Sequence, residues 1–360
     1  MDDRNLIDFV EQISGGVHAR VEENLGEGFV RLRSAEAERR QAKHDIRHVE
    51  DMVIELLRNA RDAGASHIFV ASQREEDMRL LTVLDDGSGI PAPLHQKIFE
   101  PRVTSKLDTM VIDNWGVHGR GMALYSIASN ALAVQVAASA PRLGTAIALQ
   151  VDTTVLPERR DQSTHPSLAR DEAGQMVVVR GPHNIQRCVA EFALATSQTI
   201  DVYLGTAAQV AATLLDTGQR SLSREELLLC KDVQTLPLSQ RLAVCGDAAD
   251  LTCCCASLGL AISERTAHRI LAGQIQAQQP YLRARMATPH RSASVATGVS
   301  LSKDSRGLKL APDDLAAFSR ALEQAFETLA ERYYLNLADL PKISVRADSI
   351  SVRFPIEKEL

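Results

Sequence analysis

Four stretches of the chain set acids, amides and glycines at spacings suited to phosphate chemistry. The first is Glu55-Leu-Leu-Arg-Asn-Ala-Arg-Asp-Ala-Gly-Ala65. Glu55, Asn59 and Asp62 stand at i, i+4 and i+7, so one helix face carries all three. The Asn59 side-chain carbonyl is a hard oxygen donor of the kind Mg²⁺ takes. Glu55, one turn earlier, is placed to polarise a water. The plainer reading is a solvated helix face. The second stretch, Leu84-Asp-Asp-Gly-Ser-Gly-Ile90, puts Asp85 at a strand end. A carboxylate there can accept a hydrogen bond from an exocyclic amine such as that of adenine. Gly87 and Gly89 then let backbone lie against a flat base. The plainer reading is a tight turn, where Asp and Gly dominate. Taken singly, neither stretch excludes its plainer reading.

The third stretch, Ile98-Phe-Glu-Pro-Arg-Val-Thr-Ser-Lys-Leu107, brings Thr104, Ser105 and Lys106. The fourth is Trp115-Gly-Val-His-Gly-Arg-Gly-Met-Ala-Leu124. It places Gly116, Gly119 and Gly121, then Met122, ahead of a helix, where free backbone N–H groups and the helix dipole form an anion site. Lys106 and Arg120 add positive charge nearby. Gly144-Thr145 opens a later strand.

The elements that must hold these residues can be read from periodicity. Residues 1–45 look helical and charged. Residues 46–64 read as one helix, with Val49, Met52, Val53, Leu56, Leu57 and Ala60 at helical spacing and Gly64 as its stop. Strands follow at His67–Ala71 and Arg79–Leu84. A short helix spans 93–100, an unpatterned mobile loop 101–118, and a helix 121–130. Strands come next at 133–138 and 145–151. This order predicts an α+β sandwich with helices on one sheet face. Residues 156–174, polar and with two prolines, read as a linker. A second α/β segment runs from 175 to about 216 and a helical stretch covers 222–282. Residues 283–311 are polar, Asp313–Leu335 reads as a long helix, and strands close the chain at 343–347 and 350–354.

Bulk properties narrow the class. With 360 residues, 45% hydrophobic and 24% charged, the composition is that of a globular protein with room for two or three domains. A net charge of −6 supplies no global field toward nucleic acid. The N-terminus lacks a basic, apolar leader and no long apolar run occurs, so a cytoplasmic location is expected. The six cysteines lack zinc-site spacing, and Cys253-Cys254-Cys255 read as small residues of a buried helix in a reducing compartment.

Taken in order, the pieces resemble the motifs of the GHKL superfamily of ATPases, which includes gyrase, heat-shock chaperones, histidine kinases and MutL. ELLRNARDAGAS is similar to the N-box of MutL and the chaperones. FEPRVTSK resembles the lid segment shared by histidine kinases and MutL. GVHGRGMALYSIAS lies between the second glycine motifs of those two branches. The resemblance covers about residues 46–152 and implies a Bergerat-type α/β sandwich that binds ATP with Mg²⁺, followed by a second α/β and helical C-terminal region. It implies segments at 1–45 (helical), 46–155 (ATP-binding), 156–174 (linker) and 175–360 (transducer-like and helical). Carried over by motif, Glu55 is the general base, Asn59 the Mg²⁺ ligand and Asp85 the adenine reader. Gly87 and Gly89 pack on the base, and Thr145 supports Asp85. Gly119, Arg120 and Gly121 face the phosphates, and Asp62, Gly116 and Met122 are further candidates for contact with the nucleotide. Thr104, Ser105 and Lys106 belong to the lid. No GxxxxGK motif followed by Ser or Thr is present, which excludes a P-loop as the nucleotide site.

Within the superfamily an ATP-hydrolysing conformational switch is the expected function. A histidine-kinase-like protein kinase and a non-hydrolysing ATP-gated binding module are the alternatives. His44 lies only 11 residues before Glu55 and reads as an exposed helix residue rather than a phosphoacceptor. Leu156-Pro-Glu-Arg-Arg160 and the helix beginning near His183 resemble MutL further. Arg120 stands where MutL has glutamate, the first 45 residues do not match, and the chain ends without room for a MutL-type dimerisation domain. Lys303, Lys309 and Lys342 are candidates for a lysine reaching the γ-phosphate. Residues 265–312 hold eight Lys or Arg and one acid, Asp304. Just before them, Leu258–Leu271 resembles the turn and second helix of a helix-turn-helix, with Ser263 as its cap and Arg265 and Arg269 exposed. Residues 258–309 are therefore a candidate DNA contact, beside the plainer reading of a helical subdomain with a basic loop. A nucleotide-dependent homodimer is a further expectation.

Overall fold

The computed structural model describes residues 21–105, 111–113, 116–118, 121–171, 174–230, 232–287 and parts of 318–358, with only the backbone of the strands in 111–118. The chain divides into two compact units, residues 1–288 and 289–360.

The first unit opens with a hairpin, β1 (Val21–Gly26) and β2 (Phe29–Leu32), where a helix is expected. Gly26, Glu27 and Gly28 all have positive φ, which turns the chain back on itself and forbids a helix through this stretch. Helix α1 (Glu36–Asp45) follows, and the expected helical character holds there.

Helix α2 (Val49–Asp62) buries all six apolar residues of the 46–64 pattern. Its start is closed by the Asp51 carboxylate, which accepts the Arg47 and His48 N–H groups at 2.8 and 2.9 Å. Its end is a Schellman turn. Gly64 sits at φ +75°, Ala65 N–H donates to Ala60 O and Gly64 N–H to Arg61 O.

Strands β3 (His67–Glu75) and β4 (Met78–Asp85) form a hairpin. The expected short helix at 93–100 is two 3-10 turns, Ala92–Leu94 and Lys97–Phe99. The expected loop beyond it contains β5 (Val103–Thr104), which pairs with β2 and makes a three-stranded sheet with the N-terminal hairpin. It also contains a small hairpin, β6 (Val111–Asp113) with β7 (Gly116–His118). Helix α3 (Ala123–Asn130), β8 (Ala133–Ala140) and β9 (Gly144–Asp152) lie close to expectation.

The polar 156–174 segment holds β10 (Ser167–Arg170), paired with β11 (Met176–Arg180). Then come α4 (Ile185–Ala195), β12 (Asp201–Gly205), α5 (Ala207–Ser221), α6 (Arg224–Leu229), α7 (Ala248–Ser257), α8 (Glu264–Leu271) and α9 (Tyr281–Ala287). The main sheet runs β12-β3-β4-β9-β8, with β12 parallel to β3 and the other pairs antiparallel. Its fifth strand thus comes from beyond residue 175, across the boundary that composition suggests.

Helices cover both faces of this sheet rather than one. On one face Ile68, Val70, Leu81, Val83, Ile147 and Leu149 pack with α2 and α4. On the other, Phe69, Ala71, Leu84 and Ala146 pack with α5, α7 and α8. The cause is visible in β3, whose Ile68-Phe69-Val70-Ala71 run is apolar on both sides of the pleat. The Leu258–Leu260 turn docks on the second face. Thr82 Oγ1 donates to Gly259 O at 2.6 Å, and Gly259 sits so close to the sheet that a Cβ would fall 2.7 Å from that of Ala148. Only one side of α7 faces this core, so Cys255 is buried, Cys254 half-buried and Cys253 exposed; all six cysteines are free thiols. Among the described residues no helix is long and apolar enough to cross a membrane.

In the second unit β13 (Leu335–Leu337) pairs with β16 (Ile356–Lys358), and β14 (Lys342–Val345) pairs with β15 (Ile350–Arg353). The last pair corresponds to the expected strands at 343–347 and 350–354. Phe326 stacks on Phe354 with ring centres 5.0 Å apart. Most of the expected helix 313–335 and of the polar stretch 283–311 lies outside the described residues.

A chain ended at residue 174 loses β12 and α5, which bares the β3 edge and the Phe69 face of the sheet. It is expected to aggregate, whereas a chain ended at residue 288 is expected to give one cooperative thermal transition. A soluble, cooperatively melting 1–174 fragment would refute the dependence of the sheet on its fifth strand.

Candidate nucleotide site

The acid at the end of β4 is buried and held by backbone donors. Asp85 pairs with Thr145 across β4 and β9. Its Oδ1 accepts the Gly87 N–H at 2.8 Å, and the Thr145 N–H also donates to the carboxylate. Burial pushes this carboxyl up to about 7, with the neighbouring Asp86 charge adding to the effect and the two backbone donors opposing it. The structure gives the two adjacent aspartates different surroundings. Asp86 accepts from the Ser66 and His67 N–H groups and pairs with the His67 ring at 2.8 Å, which holds it below the usual carboxylate range against the cost of burial. Asp86 therefore ties β4 to β3, while Asp85 is left facing a cavity.

That cavity measures about 750 Å³. It brings together Glu55, Asn59 and Asp62 from α2 with Asp85, Gly89 and Thr145 from the sheet and its turn. Thr104, Ser105, Gly121 and Met122 complete the opposite wall. Gly87 lies behind the wall, where a Cβ would come 2.8 Å from both Ala63 and the Asp85 carboxylate. Gly116 falls in β7, and Lys106, Gly119 and Arg120 lie outside the described residues. Lys303 and Lys309 lie outside them too, and Lys342 opens β14 in the second unit.

Two glycines set the backbone geometry. Gly89 has φ +73°, and a Cβ there would stand 1.9 Å from Ala140 O. Gly144 has φ +93°, and a Cβ would stand 2.2 Å from Asp85 O. Any larger residue at either position pushes the Asp85 strand away from its neighbour. Ser139 couples the same parts. Its Oγ receives the Ile90 N–H at 2.7 Å and lies 2.9 Å from Gly144 O and 3.1 Å from Thr145 Oγ1. Nothing in the sequence singles Ser139 out, because its role depends on a register between β8 and β9.

On α2 the acids are paired rather than bare. Glu55 Oε1 accepts from Arg58 Nη1 at 2.6 Å, and Arg58 is only 3% exposed. Asp62 pairs with Arg61 at 3.0 Å. The i, i+3 spacing of Glu55 and Arg58 could have revealed the first pair. Between the two, the Asn59 amide is shielded from solvent and its Nδ2 has no hydrogen-bond partner. A buried N–H donor left unsatisfied costs about 1–3 kcal/mol. Helix α3 has Met122 as its N-cap, with no side-chain cap and no acid in its first turn, and Met122, Ala123 and Leu124 line the cavity. The N-terminal segment adds Phe29, Gln41 and Asp45 to the wall. Sequence reading missed Phe29 because it took β2 for helix, and missed Gln41 and Asp45 because nothing in a helical pattern shows that α1 borders the cavity.

Comparison with known proteins accords with this geometry. Residues 44–155 match the family model of histidine kinase-, DNA gyrase B- and HSP90-like ATPases. The segment 44–155 is a GHKL-type domain. Over 86 residues the chain is 40% identical to the DNA mismatch repair protein MutL of Clostridium perfringens, covering 23% of this chain and 13% of that protein. It is 36% identical over 108 residues to MutL of Parabacteroides distasonis, covering 29% and 17%. MutL of Mesorhizobium japonicum is 40% identical over 84 residues, covering 23% and 13%. The chain thus matches less than a fifth of the length of these relatives.

Asp85 supplies a pH test. In the folded protein it keeps a proton up to about pH 7, while in the unfolded chain it ionises near the ordinary 3.8. Its contribution to stability is therefore full below that value and is lost as pH rises toward 7. Asp85→Asn removes the buried charge and should raise the melting temperature of the ligand-free protein by several degrees relative to wild type at pH 8, with little difference at pH 4. An equal gap at both pH values in a melting scan would contradict the burial of Asp85.

Proposed function

We propose that the cavity binds ATP and that the domain hydrolyses it, using nucleotide occupancy as a conformational switch. The observation that carries this reading is a solvent-shielded carboxylate at a strand end facing the same cavity as an unpartnered Asn59 amide. An adenine amine donating to Asp85 supplies the hydrogen bond that the ionised carboxylate lacks once it is out of water. Gly89 gives the base a flat wall. The leading N–H groups of α3 face the phosphates.

Asn59 fits a Mg²⁺ ligand, because its side-chain carbonyl is a hard oxygen donor on a helix lining the cavity and this ion is commonly held by one or two protein oxygens plus substrate phosphates. Mg²⁺ so bound would neutralise phosphate charge during transfer. A site of that kind need not form a cluster of acids, and among the described residues no group of three or more His, Cys, Asp or Glu capable of holding a metal occurs. Glu55 accepts the proton of the attacking water, with Arg58 orienting its carboxylate. Most of the acceleration comes from positioning and from fixed N–H donors aimed at the phosphate charge.

The switch reading extends to partners. Arg265 and Arg269 are exposed on α8, whose start Ser263 caps by accepting the Thr266 N–H at 3.2 Å. They offer cations to a DNA backbone. Retention of duplex DNA on a filter only when nucleotide is present tests that contact, and sizing with a non-hydrolysable analogue tests a nucleotide-dependent homodimer.

Glu55→Ala should lower phosphate release from ATP by about 10²–10⁴-fold and leave affinity for a non-hydrolysable analogue within a few-fold of wild type. Asn59→Ala should lose the Mg²⁺-dependent part of that affinity. Wild-type turnover in Glu55→Ala would remove Glu55 from the mechanism. Labelled γ-phosphate recovered on protein rather than as free phosphate would make the protein a kinase.

A further inference from the structure

Two of the free thiols meet at a single backbone oxygen. Cys245 closes the 3-10 segment Leu238–Val244, and Cys254 stands on α7. Cys245 Sγ lies 3.9 Å from Arg241 O, and Cys254 Sγ lies 3.8 Å from the same oxygen. A cysteine near the carbonyl four residues before it follows from local helical geometry. Cys254 reaches that oxygen across 13 residues of chain, so tertiary packing brings the second sulfur there. The two thiols also hydrogen-bond to each other, with Cys245 as the donor. Neither residue lines the nucleotide cavity.

Their surroundings give the two sulfurs different characters. Arg241, 6% exposed, anchors its guanidinium on Leu236 O and Gln234 O at 3.1 and 3.0 Å, which fixes a cation beside the thiols. The hydrogen bond from Cys245, followed by the Arg241 charge, holds Cys254 below the usual thiol range, against burial and the Asp250 charge. The same hydrogen bond, with burial and the Cys254 charge, pushes Cys245 up. One sulfur thus leans to thiolate and the other keeps its proton. A thiolate beside a cation, partly open to solvent, is the reactive kind of cysteine. Both residues are half-buried. The other thiols of this region differ. Cys255 is buried and pushed up to about 12 by that burial, and Cys253 is exposed.

We propose that Cys245 and Cys254 are a redox-active dithiol, which closes to an intrachain disulfide on meeting a small peroxide. The Cys254 thiolate attacks one peroxide oxygen. The O–O bond breaks, hydroxide leaves, and Cys254 becomes a sulfenic acid. The Cys245 sulfur then attacks the sulfenic sulfur. The S–S bond forms, the S–O bond breaks, and the departing hydroxide takes the Cys245 proton as water. The two sulfurs together lose two electrons, and the peroxide gains them. A thiol reductant reverses the change. The new bond fastens the 3-10 segment to α7 within the layer that packs on the Phe69 face of the sheet. None of this depends on what the nucleotide cavity binds.

The full chain, reduced and then freed of reductant, would be treated with a small molar excess of hydrogen peroxide. Cleavage before Asp247 and Asp250 separates the two cysteines, so mass spectrometry shows whether their peptides are joined. They should appear linked, lighter by two hydrogens, and should part again in dithiothreitol. This reading needs no substitution. Cys253→Ser, at an exposed position, should leave the link intact, and Cys254→Ser should abolish it. In Cys245→Ser the sulfenic acid has no partner thiol, so dimedone added with the peroxide should label Cys254. Three outcomes overturn the proposal: no link between the two peptides, a link that Cys253→Ser abolishes, or dimedone label on Cys253 alone in Cys245→Ser.

Discussion

A carboxylate taken out of water at the end of a central strand is the constraint around which this domain is arranged. Asp85 is held by pairing with Thr145, by the Gly87 N–H, and by a turn that only glycine can make at positions 89 and 144. Ionisation of such a group is costly unless a donor arrives from outside the protein. Burial therefore keeps Asp85 protonated to a higher pH than an exposed carboxyl. Asp86 next to it shows the contrast, since its oxygens are met by Ser66 and His67 and it serves only to join strands.

The sheet that carries Asp85 depends on residues far along the chain. β12 closes its edge beside β3, and α5, α7 and α8 cover the face on which Phe69 and Leu84 lie. A domain drawn at the end of β9 would leave that face in water. The region after residue 175 is therefore part of the platform that positions the site. The docking of the Leu258–Leu260 turn on Thr82 ties the helical region beyond residue 222 to the same strand that ends in Asp85.

On the opposite side of the cavity, α2 presents Glu55 already paired with the buried Arg58. An ion pair within one helix turn holds the carboxylate at little entropic cost, because both residues sit on a helix whose apolar face is packed and Arg58 is itself buried. Asn59 lies one residue beyond Arg58, and its unpaired amide is the complement on the helix to what Asp85 is on the sheet.

Much of this was legible in the residues themselves. The apolar spacing of α2, the stop at Gly64 and the Asp-Gly turn after β4 are local signals, governed by helix periodicity and by the conformations open to glycine. Together they placed Glu55, Asn59 and Asp85 on the elements where they are found, and their order along the chain pointed to the family that the comparison with known proteins matches at 44–155. What local pattern could not decide is which of two adjacent aspartates faces the cavity, that Ser139 joins the glycine turn to Thr145, or that Arg58 turns toward Glu55. Nor could it show that the 21–32 stretch is a hairpin pairing with Val103 and Thr104, or that Cys245 and Cys254 meet at one carbonyl. Each of these depends on strand register or on contacts between residues distant in sequence, and such contacts exist only once hydrophobic burial has brought the segments together.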